Sequence, residues 1–167
     1  TPPRLRSVLL GFFGLLGLLA ALEGVTRVWL VSPAPPRTYT PYGWVESPGA
    51  RIVHSVEGYS RSRLKSYGFD DDEPDTTAPA TALLLGDSYG QSRQVRREAG
   101  FPRIAETLVQ GLEVVNASRS GFSPLDYGAY APPLAALFHP DVILLTVTDG
   151  DVDNLLASGL ADRDAAE

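Results

Sequence analysis

The sequence predicts an α/β fold behind an N-terminal transmembrane helix. Two observations carry this. The first is a long apolar run near the start, whose uncharged heart is "VLLGFFGLLGLLAAL", Val8 to Leu22. The second lies in the last half of the chain. There, three short aliphatic runs alternate with segments of helical spacing, and each run ends at a loop of small polar residues. Buried parallel strands read as short apolar runs, and β-α-β alternation implies a parallel sheet with helices on its faces.

The apolar run is short for a bilayer if it stops at Leu22, which would fit the core of a signal peptide. It resumes in Val25, Val28, Trp29, Leu30 and Val31. Read to Val31 it reaches spanning length. No small-x-small cleavage pattern follows Ala20-Ala21-Leu22-Glu23, which favours an uncleaved anchor. Glu23 and Arg27 are spaced i,i+4 with the acid first, the better orientation for a helical pair. Trp29 stands where interfacial aromatics are found. Arg4 and Arg6 precede the run, so the N-terminus is expected in the cytoplasm and the remainder outside it, on the periplasmic side of an inner membrane. Gly11, Gly14 and Gly17 offer a small-residue face to the transmembrane helices of a larger complex. Glycine is also simply common in membrane helices. The expected partners are the bilayer and, through those glycines, such a complex.

Three regions follow: residues 1–31 as cytoplasmic end and anchor, 32–79 as connector and lead-in, and 80–167 as the α/β unit. "SPAPPRTYTPYGW" is expected to be an extended connector, because proline fixes φ and lacks a donor. "ARIVHSVEGYS" suits a strand. "DDDEPDTTAPA" reads as a solvated, turn-rich lead-in. "TALLLG" is the first parallel strand. "FPRIAETLVQGL" places Ile104, Ala105, Leu108 and Val109 on one helical face, with Gly111 able to end the helix. "LEVVNAS" is the second strand. "PLDYGAYAPPLAALF" is helical but expected to break at Pro132-Pro133, which would start a new turn. "PDVILLTVT" is the third strand, and "DVDNLLASGL" opens a further helix.

The net charge of -6 argues against a nucleic-acid partner, which requires a basic face. Arg61, Arg63 and Lys65 read as a solvated face. Without cysteine there is no disulfide, thiolate ligand or Cys nucleophile. Without methionine, Thr1 is not expected to be the encoded start. No cofactor and no metal site is expected. Asp149, Asp151 and Asp153 lack the spacing of a calcium loop, and acids at a helix start are favoured by its dipole.

In parallel sheets chemistry sits at the carboxyl ends of the strands. The loops there are Asp87-Ser88-Tyr89-Gly90, Ser118-Arg119-Ser120-Gly121 and Asp149-Gly150-Asp151. By position alone, Ser88 is either a nucleophile or a helix cap, and Gly121 is a turn residue needing positive φ.

Taken in order, "LLLGDSYG", "VVNASRSGFS" and "HPDVILLTVTDGDVDN" resemble the three blocks of the SGNH (GDSL-type) hydrolases. "KSYGFDDDE" and "EGVTR" resemble lead-in and anchor segments of membrane-bound bacterial members. The resemblance implies a flavodoxin-like parallel-sheet domain, of which residues 80–167 would be the N-terminal half. It implies an ester or acetyl-ester hydrolase with Ser88 as nucleophile, and with the Ser88 and Gly121 N–H groups donating to the oxyanion. The family's third donor, an Asn side chain, falls on Gly150, and Asp151 matches the Asp that follows it. Glycine lacks that donor, so the resemblance implies weakened activity. The family's Asp-x-x-His base has no counterpart in residues 1–167. His139 precedes the third strand, at the end of the sheet opposite Ser88, and His54 lies in the lead-in. Two explanations stay open: the base lies outside these residues, or the protein is a degenerate hydrolase kept as an accessory subunit of a larger membrane complex, respiratory or photosynthetic.

Overall fold

In the computed structural model, which describes residues 3–30, 34–153 and 155–156, the first element is one long helix, α1 (Pro3–Trp29). The stretch Leu5–Trp29 is long and apolar enough to cross a membrane, and none of it is buried inside the protein. At about 1.5 Å per residue it is roughly 37 Å long, against about 30 Å for a hydrocarbon core. Glu23 and Arg27 pair along its side at 2.6 Å.

Two antiparallel hairpins follow: β1 (Arg37–Thr40) with β2 (Gly43–Glu46), and β3 (Arg51–His54) with β4 (Ser60–Arg63). The Pro-rich stretch is therefore not a plain connector. Its described prolines, Pro35, Pro36 and Pro41, sit before β1 or in the Pro41-Tyr42 turn, so none of them interrupts the ladder, and Tyr39 meets Trp44 edge-on across it.

The sheet comes next. Strands β5 (Ala80–Leu85), β6 (Leu112–Asn116) and β7 (Val142–Leu145) are all parallel, in the order β6-β5-β7. Between β5 and β6 lie a single turn of helix, α2 (Ser88–Gln91), a 3₁₀ turn at Arg97–Ala99, and α3 (Phe101–Leu108). Helix α4 (Pro124–Phe138) crosses from β6 to β7. Residues 149–153 and 155–156 are helical.

The core forms on the central strand. Leu83 and Leu85 point to one face, where Val115, Ala117, Phe122, Tyr127 and Leu134 close over them. Ala82 and Leu84 point to the other, beside Val114. Helix α4 is continuous through Pro132 and Pro133, contrary to the break expected from their lost N–H groups. Burial of Tyr127 and Leu134 on its inner side holds it together. The residues four positions before the prolines are Gly128 and Ala129, which leave the rings room. At its start the Asp126 carboxylate accepts from the Ser123 N–H and hydroxyl, both at 2.8 Å. Helix α3 ends at Leu108, and Val109 caps it. Ile104 and Leu108 on its apolar face are exposed.

The two edges of the sheet differ. On the outer side of β6, the Val114 N–H donates to Glu106 Oε1 (2.8 Å) and the Asn116 N–H to Asp71 Oδ2 (2.7 Å). Carboxylates replace a neighbouring strand there. Arg103 ties the two carboxylates together, at 2.5 Å to each. Next to it, Arg93 pairs with Glu46 and Asp70, and Arg97 with Asp70 and Asp72. The Asp70-Asp71 part of the acidic run is therefore not solvated: both side chains are under a tenth exposed because three guanidiniums neutralise them. This network fastens β2 and the lead-in to the α/β unit. The outer edge of β7 has no partner among the described residues, and Val142 to Leu145 are all exposed.

Glu113 is 7% exposed, and its Oε1 is buried without a partner. Burial, reinforced by Glu106, raises its carboxyl above the ordinary range. A carboxyl that holds its proton more tightly when folded contributes stability in acid. That contribution is lost as pH rises from the ordinary carboxylate pKa through the raised one. Glu113→Gln is therefore expected to raise the melting temperature at neutral pH and to do little in acid. Thermal unfolding at both pH values checks this.

Candidate active site at the carboxyl edge of the sheet

The strand order puts β5 in the centre, with the chain leaving it to β6 on one side and later to β7 on the other. A crevice opens at the carboxyl end of such a strand, where ligands of open α/β sheets bind. Ser88 follows β5 at that point. Gly86 makes the turn possible: a Cβ there would lie 1.8 Å from Thr146 Oγ1 and 3.2 Å from Ser118 Oγ. The loops after β6 and β7 close on this glycine from both sides.

Hydrogen bonds knit the three loops. The Arg119 N–H donates to the Gly86 carbonyl (2.8 Å). Asn116 Nδ2 donates to the Gly90 carbonyl (3.0 Å), and its Oδ1 accepts from the Ser118 N–H (3.1 Å). Asn116 thus reaches beyond its own loop. On the β7 side, Thr148 Oγ1 donates to Asp87 Oδ2 and the Thr148 N–H to Asp151 Oδ2, both at 2.8 Å. Tyr127 Oη donates to Asp151 Oδ1 at 2.9 Å. Asp151 is fully buried. Burial and the bond to Asp151 together push the Tyr127 hydroxyl well above its ordinary pKa, so it stays a donor.

These bonds separate the two roles weighed for Ser88. The cap of α2 is Asp87, whose Oδ1 accepts from the Tyr89 N–H at 2.9 Å. Ser88 is the first residue inside the helix, half-buried, and its hydroxyl has no hydrogen-bond partner among the described residues. Both Asp87 oxygens are occupied, by Tyr89 and Thr148.

Gly121 is exposed in the loop after β6 with φ +81°, the conformation that favours glycine. It lines an open depression of about 510 Å³ with Arg37, Trp44, Arg119, Phe122 and Tyr130. Gly150 is exposed in the first turn of the helix that follows β7. A Cβ there would meet only Thr148 Oγ1, at an ordinary 3.6 Å. His139 caps the end of α4 before β7 starts, at the amino edge of the sheet, and His54 ends β3. Neither hydrogen-bonds to Ser88.

The residues that motif reasoning missed are Thr148, Tyr127 and Asp87 as a brace. Asp87 lies inside the first block and Thr148 inside the third, two residues before Gly150, and those positions are the signal that could have found them. Comparison of the chain with family models, with curated proteins and with solved structures returns no match. The class defined by the molecule itself is an α/β protein, behind a helix of bilayer length, with a serine at the carboxyl edge of its central strand whose hydroxyl is unengaged among the described residues.

Proposed function

We propose that this chain is a membrane-anchored, extracytoplasmic protein of the SGNH-hydrolase type, with a flavodoxin-like sheet and Ser88 as nucleophile toward small acyl esters. The observation that carries the reading is the state of Ser88. It stands at the switch point of the sheet, half-exposed, with its capping role taken by Asp87 and its hydroxyl unengaged among the described residues.

Attack by Ser88 Oγ on the ester carbonyl would form the acyl-enzyme and release the alcohol. Water would then release the acid and regenerate the hydroxyl. The Ser88 and Gly121 N–H groups would hold the oxyanion, without a side-chain donor at Gly150. A serine hydroxyl is a weak nucleophile without an adjacent base, so turnover is expected to be slow. Arg4 and Arg6 before the span favour an orientation with the site outside the cytoplasm.

A second reading has one observation in its favour. Gly150 lacks a donor while Asp151 beside it is spent on bracing the loop. This suits a retained scaffold, an accessory subunit whose anchor meets other helices through Gly11, Gly14 and Gly17. One assay separates the readings. Purified protein in detergent is expected to hydrolyse p-nitrophenyl acetate slowly, and Ser88→Ala to reduce this to the uncatalysed background. Turnover that survives Ser88→Ala would sink the mechanism.

A further inference from the structure

The last carbonyls of a helix have no donors of their own. At the end of α1 the β3–β4 hairpin supplies them. Arg51 Nη2 donates to the Val28 carbonyl (3.2 Å), Tyr59 Oη to Trp29 (3.0 Å) and Ser55 Oγ to Leu30 (2.9 Å). The Arg61 guanidinium lies over the Trp29 ring, 4.7 Å from its centroid. Four contacts thus fix the hairpin at the point where α1 would leave a bilayer.

The ladder register decides what the hairpin presents there. Arg51 is directly opposite Arg63, and Val53 opposite Arg61. Residues opposite one another share a face of the ribbon, so Arg51, Arg61 and Arg63 lie together on one side. All three are exposed. Like charges directly across a ladder are destabilising, and among the described residues neither Arg61 nor Arg63 forms an ion pair. The chain as a whole carries -6, so this basic face runs against its overall charge. Trp29, Tyr59 and Val56 are exposed beside it, and aromatic residues favour the depth of lipid headgroups.

We propose that this three-arginine face binds the phosphate groups of anionic phospholipids in the leaflet from which α1 emerges. The proposal rests on the reading of α1 as a membrane anchor. It makes the hairpin a collar that seats the soluble unit on the bilayer.

The test uses the full chain carrying Trp44→Phe, which leaves Trp29 as the only tryptophan. It is reconstituted in phosphatidylcholine bilayers. Trp29 quenching is then compared for phosphatidylglycerol and phosphatidylcholine, each brominated high on the acyl chain, at equal mole fraction. The expected result is a selectivity for phosphatidylglycerol of about fivefold for each engaged arginine. It should fall to about fivefold in R61Q/R63Q, the share Arg51 alone would keep, and persist in full in R61K/R63K, which keeps the charge. Equal quenching by the two lipids in the parent protein, or selectivity unchanged in R61Q/R63Q, would overturn the proposal while leaving the anchor intact. Absence of quenching by either lipid would overturn the anchor reading itself.

Discussion

Asp71→Ala is expected to lower the unfolding free energy by about 3–5 kcal/mol, the cost of removing one partner from a buried ion pair. The Asp71 side chain is 6% exposed and does three things at once. It pairs with Arg103 at 2.5 Å, accepts the outward Asn116 N–H at 2.7 Å, and accepts the Asp72 N–H at 2.9 Å. Alanine would leave a half-buried guanidinium short of a partner and unseal the edge of β6. The loss should be cooperative with Arg103. In a double-mutant cycle with Arg103→Met, the second substitution should cost clearly less once Asp71 is gone. Denaturant unfolding of the four proteins in one detergent measures this. Additive losses would mean that the two side chains act independently.

Gly150→Asn is expected to raise kcat on short acyl esters about a hundred- to a thousandfold, the usual worth of one oxyanion donor. The site has room for the change. Position 150 is exposed, its φ is not in the left-handed region, and a Cβ there makes one ordinary contact, with Thr148 Oγ1. The brace through Thr148 and Asp151 holds the helix start on which the new amide would stand. The gain should appear in kcat rather than KM, because the donor meets charge that develops only in the transition state. Steady-state kinetics of Gly150→Asn beside the parent protein decides it. An unchanged kcat would remove position 150 from the oxyanion site.

The three parallel strands were legible because each is a short aliphatic run bounded by small polar residues, as in "TALLLG". The helix of bilayer length was legible from its uncharged run. The hairpins were less so: "RTYT" and "SRSR" are four residues each, with no apolar alternation to mark them. The acidic run misled because its partners Arg93, Arg97 and Arg103 lie more than twenty residues away. Pro132-Pro133 misled because tertiary burial of Tyr127 and Leu134 outweighs the local preference of proline.

The loops carrying Ser88, Gly121 and Gly150 were found from the ends of the strands, and the part each residue would play from the resemblance alone. What joins the loops was not legible. The bonds from Asp87 to Thr148 and from Tyr127 to Asp151 cross 61 and 24 residues of sequence. That Asp87, and not Ser88, caps α2 follows from a backbone geometry in which two adjacent residues are both suitable caps.

A fluorophosphonate probe tests directly whether Ser88 is a nucleophile, since the probe bonds covalently to an activated serine and needs no turnover. Incubation with the full chain in detergent, followed by intact-mass and peptide-mass measurement, should show one adduct. This adduct is expected to form slowly, to sit on Ser88, to disappear in Ser88→Ala and to form faster in Gly150→Asn. An adduct on another residue, or none after prolonged exposure of either the parent protein or Gly150→Asn, would contradict it.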